Sequence, residues 1–280
     1  MANYTRLGNE DSVSYTENLS TNTWTNNTNN LTTAHTSSEQ ASYASTTSSG
    51  HYFIEVHNEA TSSITSEVQY AISYGHKGGS GSEDFTNDTG SFGFSPTKTI
   101  YNQYKNLVFG NADQDFTFST HTPPDIYVIN VNRARYKHNL KPGSLNLFIQ
   151  SGSGGSGEKL HLTDDSVTAT GSATITNVGR QFNIVSGADG VMNGSTIAQV
   201  NSSASYGLFY PDAGFIILNP DAVGAFGQTT GLISLQPTRG SNSNGKNSAK
   251  LFDAVSASGY FILDSQEQVT SNYYFLRVKK

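Results

Sequence analysis

From His51 onward the chain alternates short apolar runs with turn-forming residues, and that rhythm predicts strands. His51-Tyr52-Phe53-Ile54-Glu55-Val56-His57 is the first such run; in Glu67-Val68-Gln69-Tyr70-Ala71-Ile72-Ser73-Tyr74 apolar and polar residues then alternate with period two. Successive side chains of a strand point to opposite faces, so the second run reads as a half-buried strand, broken by the Gly and Ser of residues 75–82. Further strands are predicted over Asp125–Val131, Ser144–Gln150, Lys159–Thr163, Thr174–Val185, Tyr206–Tyr210, Phe215–Leu218, Leu232–Leu235, Tyr260–Leu263 and Asn272–Val278. One segment has another period. Between Pro96 and Phe109, residues Ile100, Tyr104, Leu107 and Val108 fall on one helical face, with Ser95 placed to cap, Pro96 in the first turn and Gly110 at the end. Pro220–Phe226 reads as a single helical turn.

The first 50 residues lack this rhythm. Val13, Tyr15, Leu19, Trp24, Leu31 and Tyr43 are scattered among Thr, Ser and Asn and cannot form a core by themselves. They predict an extended polar N-terminal arm, either flexible or ordered against a neighbouring subunit with Trp24 as its anchor, since buried aromatics dominate interface energetics. The organisation expected is therefore an arm over 1–50, a first β-rich region over 51–150 with a helix near 96–109, and a second β-rich region over 151–280. The fold class is mainly β: one or two antiparallel β-sandwich-like domains with one short helix and the arm. No fixed-period repeat occurs.

Composition narrows the function classes. Charged residues make up 14% of the chain, against about 25% in ordinary domains, and Ser, Thr, Asn and Gly take their place. A net charge of −6 opposes general nucleic-acid binding, which needs a basic surface to displace counterions. Without cysteine there are no disulfides and no thiolate metal sites. No apolar run approaches the roughly 18 residues of a membrane helix, and Met1–Glu10 lacks signal-peptide architecture, so the expectation is a protein made in a cytoplasm with no membrane partner. Asn26-Asn27-Thr28 is then composition rather than a glycosylation site.

Candidate chemistry is sparse. Gly152-Ser153-Gly154-Gly155-Ser156-Gly157 has the spacing of a dinucleotide-binding loop, but a strand-like Lys159-Leu160-His161-Leu162 follows where a helix is needed, so a hairpin loop is expected. Asn111-Ala112-Asp113-Gln114-Asp115 begins like a calcium loop, yet Phe116 stands at the position that requires Gly and Thr122 where a bidentate Glu belongs; a turn is expected. The seven His are dispersed, no Gly-x-Ser-x-Gly elbow occurs, and the chain is read as a non-enzyme without catalytic, cofactor or metal residues. Arg133, Arg135, Lys137, His138 and Lys141 form the basic cluster. On an extended strand Arg133, Arg135 and Lys137 share a side, which suits contact with an acidic neighbour. The run Asn272–Lys280, with Tyr273, Tyr274 and Arg277, is placed to add a strand to a neighbour's sheet edge.

Several segments resemble virion structural proteins of contractile-tailed marine phages, of the cyanophage type. They are Val68–His76 with the following Gly-Ser run, Ser95–Val108, Tyr127–Lys137 and Tyr206–Gly214. None is a catalytic signature. The resemblance implies a structural component of a bacteriophage virion, of the contractile tail or baseplate, assembled in the host cytoplasm and partnered by other virion proteins and by copies of itself. The alternatives are a neck, capsid-surface or fibre-attachment protein, or a carbohydrate- or receptor-binding β module.

Overall fold

The computed structural model describes residues 8, 11–37, 52–82, 95–111, 113–150, 159–168, 173–193, 205–225, 235–239 and 246–275. Its strands are β1 (Ser12–Asn22), β2 (Asn30–Leu31), β3 (Phe53–His57), β4 (Val68–His76), β5 (Asp125–Val131), β6 (Asn139–Leu140), β7 (Asn146–Gln150), β8 (Lys159–Asp164), β9 (Thr174–Thr176), β10 (Gly179–Ala188), β11 (Val191–Met192), β12 (Gly207–Tyr210), β13 (Phe215–Leu218), β14 (Phe261–Ile262) and β15 (Asp264–Tyr274). The helices are α1 (Pro96–Phe109), the short α2 (Pro220–Ala225) and α3 (Lys246–Ser258). The fold is mainly β, as the periodicity predicts.

One curled antiparallel sheet carries the body, in the order β2-β14-β7-β8-β10-β12-β13-β5-β4-β3, with β9 and β11 paired to the ends of β10. Strands from 51–150 and from 151–280 interleave in it: β7 pairs with β8, and β5 with β13. The antiparallel β7–β8 pair closes at Gln150↔Lys159; the Gly-Ser run between them lies outside the described residues. Most of Leu232–Leu235 also lies outside, and Leu235 itself is buried but not in a strand.

Alternation along β5 sorts the core into two layers. Tyr127, Ile129 and Val131 face one side with Tyr70, Ile72, Leu147 and Phe261, under Leu251, Ala254 and Val255 of α3. The curl brings β7 and β4, distant in the strand order, against that same helix. Ile126 and Val128 face the other side, with Leu208, Phe215 and Ile217, under Tyr101, Tyr104 and Val108 of α1. Because α1 covers this second face, β4 is buried on both sides rather than half-buried. The strand also runs through Gly75 to His76 instead of breaking there. A Cβ on Gly75 would lie 2.8 Å from the Tyr101 backbone nitrogen, so glycine permits the helix to approach.

Helix α1 spans the predicted segment and ends on Gly110 in the left-handed conformation (φ 69°), whose N–H bonds to the Asn106 carbonyl at 2.9 Å. Its inward face is rotated from the predicted one. Thr97, Tyr101, Tyr104, Lys105 and Val108 are buried, whereas Leu107 is 47% exposed. Tyr101 goes inward because its ring packs edge-on against Phe116 while its hydroxyl reaches Asp115 at 3.3 Å. Helix α3 was not predicted, although Leu251, Ala254, Val255 and Ser258 recur at i, i+3, i+4 and i+7.

A buried charge network ties the loop at 235–239 to the sheet. Asp125, fully buried, accepts from Arg239 Nε at 2.8 Å and Nη2 at 2.9 Å, and from the Tyr74 hydroxyl at 2.7 Å. Arg239 also bonds Asp221 at 2.6 Å, which in turn contacts His121 at 2.7 Å. Burial pushes the Asp221 carboxyl up, but hydrogen bonds from Arg239 and His121 outweigh it and hold the group below its ordinary range.

Candidate interaction surface

The small second sheet, β1-β15-β6, departs from the rest of the molecule. β1 and β15 pair over their whole length, from Ser12↔Tyr274 to Asn22↔Asp264, whereas β6 touches β15 only at Ser265 and Gln266. Beyond that point the two strands form a lone ribbon, about 27 Å long at ~3.4 Å per residue. In an antiparallel pair directly opposed residues share a face, so the register sorts the ribbon's side chains. One face carries Val13, Tyr15 and Leu19 beside Tyr273 and Val269, with Glu17 and Glu267 among them. The other is a polar ladder, in which Ser14 donates to Asn272 at 2.6 Å and the Thr16 and Thr270 hydroxyls bond at 3.0 Å.

The apolar row has no cover among the described residues. Tyr15 is 59% exposed and Tyr273 56% exposed; Tyr274, opposite Ser12, is exposed on the other face, beside the polar ladder. Isolated two-stranded ribbons are marginal in water, and contiguous exposed apolar surface marks an interaction site. Tyr273 therefore lies where a contact would be made, whereas Tyr274 points to the opposite face. The run expected to add itself to a neighbour's sheet edge is already used in part, however: Asn272–Tyr274 pairs with β1 of the same chain. Arg277 lies outside the described residues.

Trp24 is corrected. It anchors the arm, but inside its own chain: it is 2% exposed, its indole N–H donates to the Phe261 carbonyl at 2.8 Å, and its ring packs on Phe261 and Tyr70 at 4.9 and 6.0 Å. Residues 12–37 thus order against β15, β14 and β3 of the same chain. The cause is local. Trp24 is the largest apolar surface in the segment, and the nearest place to bury it is the end of the body's own sheet.

The basic cluster is corrected in shape. Arg133–Arg135 is a 3-10 turn, not an extended strand, because the Asn132 side chain accepts from the Ala134 N–H at 3.0 Å and caps it. The cations therefore do not share a side. Arg133 stacks over Tyr136 at 4.6 Å and donates to its carbonyl at 2.6 Å. Arg135 pairs with Glu67 at 2.7 Å; hydrogen bonds from Thr25 and Arg135 hold that carboxyl low. Lys137 is exposed, and its N–H donates to Ser265 Oγ at 2.8 Å. The His138 and Lys141 N–H groups reach the Gln266 and Asp264 carbonyls at 3.0 and 2.8 Å. The cluster is thus the socket from which the ribbon projects.

An open groove of about 770 Å³ lies elsewhere, beside α1, lined by Phe109, Leu208 and Ile175 with the polar Gln114, Asn177 and Gln181. The Asn111 carboxamide oxygen accepts from the Asp113 and Gln114 N–H groups at 2.8 and 3.1 Å, which makes the expected turn just before Gln114. Asp115, read in the sequence as part of this turn, is instead paired to Lys77 and Lys105.

The alternation Val13, Tyr15, Leu19 was the signal for β1 that the sequence reading passed over. Compared with known proteins, the chain matches no family model, no curated protein and no solved structure.

Proposed function

We propose that the chain is a structural building block that joins neighbouring subunits through the β1–β15 ribbon. One observation carries the reading: a projecting ribbon sorts most of its apolar side chains onto one face, and no described residue covers that face. Energetically such a face is useful only when something packs on it. The low charge and the abundance of Ser, Thr and Asn fit an assembly held by neutral hydrogen bonds and buried aromatics. With the resemblance of its segments to phage virion proteins, the assembly is a contractile tail or baseplate, and the partners are other virion proteins and copies of the chain.

Peptide mass spectrometry on gradient-separated heads and tails of the source virus tests this. Stoichiometric peptides in the tail fraction are expected. Peptides confined to heads would move the protein to the capsid or neck, and absence from the particle would overturn the structural reading. A second reading rests on the groove beside α1, where carboxamides stand next to an aromatic ring as in a saccharide site. Strong, selective signals on a glycan array, lost in Gln181→Ala, would favour it.

A further inference from the structure

We infer that the ribbon's partner is a second copy of this chain, joined edge to edge through β1 about a two-fold axis at Thr16. The inference rests on the interaction reading above and specifies who occupies the ribbon.

The outer edge of β1 has no neighbouring strand among the described residues. Which residues face it follows from one hydrogen bond. The Phe275 N–H donates to the Asp11 carbonyl at 2.8 Å, so in β1 the odd-numbered residues turn their backbone groups toward β15. Backbone direction alternates along a strand, so Ser12, Ser14, Thr16, Asn18 and Ser20 turn N–H and C=O outward. Natural sheets guard such edges with Lys, Pro, bulges or short strands. β1 runs for 11 residues without Lys, Pro or Gly, and it pairs without a bulge. An edge left so open is built to be paired.

Charge and apolar matching select the register. Centring the axis on Glu17 sets two carboxylates opposite each other, which destabilises a cross-strand pair. Centring it on Tyr15 sets Glu17 against Val13 and Asp11 against Leu19. Centring it on Asn18 leaves Val13 without an apolar partner. Centring it on Thr16 pairs Val13 with Leu19 of the other copy, Tyr15 with Glu17, Ser14 with Asn18 and Ser12 with Ser20. All outward backbone groups from Ser12 to Ser20 are then satisfied, and both apolar rows fall on one face. Area points the same way. One ribbon presents a face on the order of 260 Å², from its length and two strands at a spacing of ~4.8 Å. Two joined ribbons present about 520 Å², nearer the roughly 800 Å² per partner of a standard interface. The isologous dimer thus offers a further subunit twice the face of one ribbon.

The test uses the full chain, whose lack of cysteine makes a single introduced thiol unambiguous. Opposed residues of a hydrogen-bonded pair have Cα atoms about 5.5 Å apart, inside the roughly 4.4–6.8 Å span of a disulfide. Thr16→Cys is expected to oxidise to a covalent dimer, Ser14→Cys and Asn18→Cys each alone to form no disulfide-linked dimer, and these last two mixed to cross-link. Sedimentation should show the unmodified chain dimerising across the micromolar range. Thr16→Pro removes an outward N–H and leaves the β1–β15 bonds intact, so it should sediment as a monomer with unchanged far-UV circular dichroism. Preferential cross-linking of Asn18→Cys or Ser14→Cys with itself would overturn the register. A monomeric chain with unreactive Thr16→Cys would overturn the second copy as partner, and its presence in particles would still leave the assembly reading standing. A dimer absent from particles would do the reverse.

Discussion

Strands β5 and β15 are both antiparallel and both hydrogen-bonded, yet they sit in opposite environments. β5 lies between β4 and β13, and its two faces are sealed by α1 and α3, so only Asn130 reaches solvent. β15 has β1 on one side and, past Gln266, no further strand on the other among the described residues, where the Gln268 N–H donates to His138 Nδ1 at 3.0 Å; from Gln268 on its side chains are largely exposed. The body accordingly holds large side chains such as Tyr127 and Phe209 at full burial, while the ribbon holds Tyr15 and Tyr273 in water. The difference teaches that alternation specifies which side chains travel together, not what will cover them. In the body the cover is intramolecular. On the ribbon no described residue supplies it, and the proposed assembly would.

The contrast can be broken most forcefully from the body. Arg239→Leu strands the fully buried Asp125 carboxylate, and removing one partner of a buried pair costs about 3–5 kcal/mol; urea unfolding of the variant should show it. Trp24→Ala, which deletes the ring between Tyr70 and Phe261, should cost a comparable ~3–5 kcal/mol. It should also loosen the ribbon, which native-state amide exchange in β1 would report. Gly75→Ala pushes a methyl against the α1 backbone and should cost about 1–3 kcal/mol by overpacking, read from the same denaturation curves.

Acid sharpens the comparison, because the shifted carboxyls of ion pairs lie in the body. Asp221 and Asp212 are held below their ordinary range by Arg239 with His121, and by Arg180, against the upward push of burial. In each case the unfolded chain binds the proton first as pH falls. Their stabilisation is therefore whole above the ordinary carboxylate pKa near ~4 and drains below it. Asp221→Asn should flatten the loss of thermal stability between neutral and acidic pH relative to the unmodified chain. The smallest effect belongs to the ribbon. Tyr15→Ser with Tyr273→Ser should change stability by no more than about 0.5 kcal/mol and leave the β1-edge dimer seen in sedimentation, yet abolish incorporation into particles. A large stability loss instead would mean that the ribbon's apolar face is already covered within the chain.

Much of this was legible before the fold was seen. The boundaries of α1, its end at Gly110 and the strands β5, β7, β8, β12 and β13 are readable in the sequence, from the helical spacing of α1 and from short apolar runs set off by turn residues. Trp24 was recognised as an anchor, but its site was misplaced, because a lone aromatic in a polar segment carries no mark of which surface receives it. The basic cluster misled for a similar reason: one side-chain acceptor, Asn132, turned a supposed row of cations into a capped turn. β1 went unread because three apolar residues among Ser, Thr and Asn look like scatter until β15 supplies the opposing strand. Helix α3 was hidden by its small residues, whose weak apolar signal is decisive only when a sheet faces them.

By itself the sequence determined the local periods, the class of the fold, the absence of cysteine chemistry and the residues able to pack. The tertiary structure alone decided that Trp24 turns inward, that β4 is sealed on both faces, and that Val13, Tyr15, Leu19, Val269 and Tyr273 make one surface. The physical reason is range. Periodicity and capping act within a few residues, whereas β1 meets β15 across almost the full length of the chain, and a face formed by such distant strands exists only once their register is set.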